Sequence, residues 1–107
     1  MKLLPDENLP RKLKRDLPNH EVFTVREMGW AGLENGDLLA ALLAAGFEAL
    51  VTGDKNIPYQ QNFQRYPIPI LVLNATDNTY ETIRQFAPKI EAAIVAGLET
   101  GPNSIDL

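Results

Sequence analysis

Residues 37–54 read Asp37-Leu-Leu-Ala-Ala-Leu-Leu-Ala-Ala-Gly46-Phe-Glu-Ala49-Leu-Val-Thr52-Gly-Asp54. This stretch decides the fold. Asp37 to Ala45 is rich in strong helix formers, and Leu38, Leu39, Leu42 and Leu43 give a broad apolar face. Gly46 suits the position just past a helix, where a left-handed backbone favours glycine. Ala49 to Thr52 is a short apolar run of strand length, closed by Gly53 and Asp54. Upstream, Lys2 to Leu4 is a short strand ended by Pro5-Asp6. Leu9, Leu13 and Leu17 recur at helical spacing, with Pro10 in the first turn. Glu21 to Val25 alternates like a strand. Downstream, Lys55 to Tyr66 is polar and reads as a loop with one short helix. Ile68 to Leu73 is a buried strand. Thr79 to Leu98 carries a helical stripe that Pro88 must kink or split. The order of elements predicts a three-layer α/β fold with a mainly parallel sheet and helices on both faces through right-handed crossovers. Residues 1–98 make the single domain, and residues 99–107 are expected to be a loose tail.

Composition removes several classes of chemistry. The 107-residue chain has no cysteine, which excludes a thiol nucleophile, a disulfide scaffold and a thiolate metal site. It has one histidine, His20, so a His-rich metal centre cannot form. The only serine is Ser104, near the end of the chain. His20 reads as a surface turn residue without a role. Any metal site must be built from oxygens. The net charge of −4 argues mildly against a dedicated DNA-binding module. No stretch approaches the roughly 18 apolar residues of a membrane span. The opening residues lack the apolar run of a signal peptide, so a cytoplasmic protein without membrane contact is expected.

In an open parallel sheet, ligands bind outside the carboxyl ends of the strands. Asp6 follows the first strand and Asp54 the third, while Asp37 opens the helix that feeds the third strand. Glu7 and Asn56 flank this set, and the polar run Gln60-Gln61-Asn62 follows Asp54 closely. Carboxylates converging on one cleft repel each other unless a cation lies between them, and Mg²⁺ or Mn²⁺ takes oxygen ligands. Each residue also has a plainer reading: an acid at a strand end is turn chemistry, and Asp37 suits the positive end of a helix dipole. Arg11, Lys12, Lys14 and Arg15 either grip phosphates or form a solvated face. Trp30 either stacks on a base or anchors its loop on the core. Phe63 and Tyr66 belong either to a partner surface or to the core.

Three signatures in unbroken order carry a resemblance. Asp6-Glu7-Asn8-Leu9-Pro10 resembles the opening of small PIN-like proteins of bacteria related to the VapC toxin ribonucleases. Val25-Arg26-Glu27-Met28-Gly29-Trp30-Ala31-Gly32-Leu33, then Asn35-Gly36-Asp37-Leu38-Leu39, is similar to the middle signature of one branch of that family. Thr52-Gly53-Asp54-Lys55-Asn56, followed by Tyr59-Gln60-Gln61-Asn62, looks like its third. The resemblance implies a PIN-like α/β/α fold and an acidic Mg²⁺ or Mn²⁺ site that cuts RNA. On it, Asp6, Asp37 and Asp54 hold the metal and are catalytic, with Glu7, Asn56 and Gln61 in support. It also implies the toxin half of a toxin–antitoxin pair, a small antitoxin partner and a homodimer. The chain departs from the pattern in three places. An acid carried on an earlier helix has no counterpart, Asn56 stands where an acid is common, and Pro5 replaces an aliphatic residue. A PIN-fold module without catalysis, acting through a protein or RNA partner, is the alternative. A phospho-accepting receiver domain would also place acids after strands one and three, but it needs a lysine after its fifth strand that is lacking here.

Overall fold

The structure is a computed structural model, and it describes residues 1–56 and 66–107. Among the described residues, five parallel strands form one sheet in the order β2-β1-β3-β4-β5. They are β1 (Lys2–Pro5), β2 (Glu21–Val22), β3 (Ala49–Thr52), β4 (Pro69–Leu73) and β5 (Gly101–Ile105). Leu3, Leu4 and Pro5 lie beside Ala49, Leu50 and Val51, and β3 continues in register onto β4.

Alternation along the strands divides the core in two. Leu3, Ala49, Val51, Leu71, Leu73 and Ile105 face one layer, where Leu9, Leu13, Leu17, Phe86 and Ile90 cover them. Leu4, Leu50, Ile70 and Val72 face the other, under Leu38, Leu39 and Leu42 of α1 (Asn35–Ala44). The fold is therefore α/β in three layers, with the sheet in the middle. α1 ends as its sequence predicts. Gly46 has φ +79°, its N–H reaches the Leu43 carbonyl, and the Phe47 N–H reaches that of Leu42. This double bond satisfies the last carbonyls of the helix.

Three expectations are corrected and one is met. Arg11–Asp16 is a 3₁₀ helix, because Pro10 and Pro18 leave too few residues to propagate an α-helix. The second strand pairs only over Glu21–Val22, and Thr24 starts a turn by accepting the Glu27 N–H. The long C-terminal helix is split, as Pro88 requires. α2 (Tyr80–Ile83) and a 3₁₀ turn (Arg84–Phe86) precede α3 (Ala87–Ala96), which has Pro88 in its first turn. The expected loose tail is instead β5, in register with β4 from Gly101 opposite Pro69 to Ile105 opposite Leu73. Asn103 ties this edge down by donating to the Glu99 and Gly101 carbonyls.

The crossovers also differ from expectation. The Arg11–Asp16 helix and α2–α3 lie on the same face, with the Tyr80 hydroxyl donating to Asp16. Yet β1 to β2 steps one way along the sheet and β4 to β5 the other. These two connections therefore have opposite hands. The α1 connection, on the opposite face and stepping back across β1, shares the hand of the first. The short helix reported as an expectation between residues 55 and 66 lies largely outside the described residues.

Candidate functional site

The strand order reverses between β1 and β3, because the chain leaves β1 toward one edge and β3 toward the other. Such a reversal opens a crevice at the carboxyl ends of the two strands. Asp6 extends β1 by one residue, its N–H donating to the Val51 carbonyl at 2.8 Å. Leu4 and Leu50 pack toward α1, so two residues later Asp6 and Thr52 continue that same face.

Thr52 is the joint of the site. Its side chain is buried, its Oγ1 donates to Asp6 Oδ2 at 3.0 Å, and the same Oγ1 accepts the Asp54 N–H at 3.0 Å. Asp6 Oδ1 accepts the Glu7 N–H at 2.8 Å, and Asp54 Oδ1 accepts the Asn56 N–H at 2.9 Å. Burial pushes the Asp6 carboxyl above the ordinary aspartate value. The Thr52 hydroxyl and the Glu7 N–H oppose that rise, and the charges of Glu7 and Asp54 add to it. Gly53 lies between Thr52 and Asp54 beside the Asn78 side chain, whose Oδ1 would be 2.7 Å from a Cβ at that position and would have to shift.

The structure thus brings Asp6 and Asp54 within electrostatic reach of each other. Asp37 is in the first turn of α1, which begins at the carboxyl end of the sheet and on the face of Asp6. It is exposed there, and its charge is not among those raising the Asp6 value. Among the described residues, no group of three or more Asp, Glu or His side chains is placed to hold a metal ion. Glu7 is exposed beside Asp6. Asn56 contributes its backbone N–H to Asp54, while Gln61 and Phe63 lie outside the described residues.

All four basic residues of the Arg11–Asp16 helix are exposed, but they are not equivalent. Lys14 pairs with Glu27 at 3.2 Å, and that bond is the main cause holding the Glu27 carboxyl below its ordinary value. Lys12 lies 5.8 Å from the centre of the Tyr80 ring. Among the described residues, Arg11 and Arg15 have no carboxylate at ion-pair distance. Trp30 anchors its loop on the core, its ring 5.7 Å from that of Phe47, and Tyr66 packs in the same layer. His20 is not a free surface residue, since its ring pairs through Nε2 with Glu91 of α3.

A cavity of about 330 Å³ opens on the β2 side of Asp6. Asp6 and Glu7 line it together with Arg11, Thr24, Val25 and Arg26. Sequence reasoning missed Arg26, Thr52 and Asn78. Arg26 directly follows the apolar end of the second strand, which is the one signal that marks it. Comparison with protein-family models, curated proteins and solved structures finds no match to this chain. Among the described residues, no helix is long and apolar enough to cross a membrane.

Proposed function

We propose that the chain is a PIN-like, metal-dependent endoribonuclease whose centre is the Asp6–Thr52–Asp54 cluster. The observation that carries this reading is the pair of strand-end acids joined through one buried hydroxyl at the point where the strand order reverses. Asp6 is kept partly out of water beside two other carboxylates, which is an environment that favours a cation. Two carboxylates suit one Mg²⁺ or Mn²⁺ that keeps several waters, with Asp37 contributing through water from the start of α1. A divalent ion held there supplies charge neutralisation at a phosphodiester and an acidified water. The protein's own part is positional. Thr52 fixes the Asp6 carboxylate and the turn that carries Asp54, and Gly53 leaves room for Asn78 against that turn.

The toxin role, the small antitoxin partner and the homodimer rest on the family resemblance. They require that expression is toxic and that one neighbouring gene relieves the toxicity. A second reading, a PIN-fold module that binds RNA or protein without cutting, is favoured by one observation: Asp37 stays outside the Asp6–Asp54 pair.

Thermal unfolding with millimolar Mn²⁺ tests the metal. Binding to the native state raises the midpoint. The expected result is a rise in the parent protein, no rise in Asp54→Asn and a reduced rise in Asp37→Asn. No rise in the parent, or an equal rise in Asp54→Asn, contradicts the metal site.

A further inference from the structure

The cavity beside Asp6 is lined by residues of both charges. Arg11 comes from the start of the 3₁₀ helix and Arg26 from the turn after β2, so two separate segments bring an arginine to the lining of one concavity. Asp6 and Glu7, at the end of β1, line the same cavity. Acids and arginines share the cavity, yet among the described residues neither arginine has a carboxylate at ion-pair distance. Val25, Pro10 and Ala31 add apolar lining. The contrast with Lys14 is direct, because Lys14 is already engaged by Glu27.

A cavity of about 330 Å³ is at the small end of ligand pockets, too small for a nucleic-acid helix and of a size for one small molecule. Two guanidiniums without a carboxylate partner suit a phosphate, to which arginine donates in bidentate fashion. The carboxylates in the same lining repel a second anion and accept from hydroxyl groups, as acidic residues do from ribose. A ribonucleotide is anionic at its phosphate and carries hydroxyl donors on its ribose, and so matches both requirements. We propose that this cavity binds a single ribonucleotide unit, its phosphate on Arg11 and Arg26 and its ribose hydroxyls toward Asp6 and Glu7. The inference rests on the nuclease reading for the claim that this unit belongs to the RNA being cut. The pocket's affinity for the free nucleotide does not depend on it.

The test is calorimetric titration in EDTA with adenosine 5′-monophosphate, its 2′-deoxy analogue, adenosine and inorganic phosphate. The ribonucleotide is expected to bind at least tenfold more tightly than each of the other three. Arg11→Gln and Arg26→Gln should each weaken it tenfold or more, with Lys89→Gln, on α3, unchanged. Equal binding by the parent and both arginine variants, or no binding by a parent of native circular dichroism, overturns the pocket. Equal affinity for the deoxy analogue overturns the ribose assignment. Ribonucleotide binding by a parent that cuts no RNA leaves the pocket standing and removes the nuclease reading. Cleavage without ribonucleotide binding does the reverse.

Discussion

Asp6 stands where stability and function pull apart. Its folded-state value lies above the unfolded one, chiefly because the carboxyl is buried. Ionisation therefore works against folding at every pH above the folded value. That cost fades as pH falls through the folded value and is gone below the unfolded one. Asp6→Asn removes the charge, its one carbonyl oxygen accepting the Glu7 N–H while its NH₂ donates to Thr52 Oγ1. Without metal it should melt higher than the parent at pH 7, with the gain shrinking as the pH becomes acidic. Melting curves in EDTA across that range check this, and a lower midpoint at pH 7 contradicts it. Asp6 and Asp54 were legible in the sequence because an acid following a short apolar run marks a strand end. Thr52 was not, because a threonine in such a run reads as an ordinary strand former. Asn78 was hidden for another reason: its closeness to Gly53 is a contact between distant loops that no local pattern records.

Among the elements, α1 and β3 follow their sequence most closely, since leucine spacing, Gly46 and a buried apolar run all point the same way. β5 does not. Gly101-Pro102-Asn103-Ser104 has poor strand propensity, and only Ile105 offers a core side chain. It forms because an edge strand needs hydrogen bonds on one side only, which also accommodates Pro102. Tertiary pairing with β4 supplies what local preference lacks. The Asn74 N–H donates to the Ile105 carbonyl and the Gly101 N–H to that of Ile68, closing both ends of the ladder. Ile105→Ala should cost about 2–5 kcal/mol, the usual range for emptying a buried aliphatic site. Urea unfolding measures this, whereas a loose tail would leave the midpoint unmoved.

At the scale of the whole molecule, the three layers were legible from alternation, but the strand order was not. Short β1, β3 and β4 have similar apolar runs, and nothing local says which neighbours which. The order matters because it sets the reversal between β1 and β3 and so brings Asp6 to Thr52 and Asp54. The last crossover, of opposite hand to the first, returns α2 and α3 to the face of the 3₁₀ helix. There Tyr80 bonds Asp16 and Glu91 meets His20. The basic helix is thereby braced from behind while Arg11 faces the cavity at its start. Groups that act as a unit lose their effect together when one is removed. The most direct test of the Asp6–Thr52–Asp54 centre is cleavage of a mixed RNA pool by purified protein with Mn²⁺, run beside Asp6→Asn, Asp54→Asn and Asp37→Asn. The expected result is cleavage by the parent, nearly complete loss in the first two variants and a partial loss in Asp37→Asn. Equal cleavage by all four proteins, or none by a parent that still binds RNA, contradicts the catalytic centre.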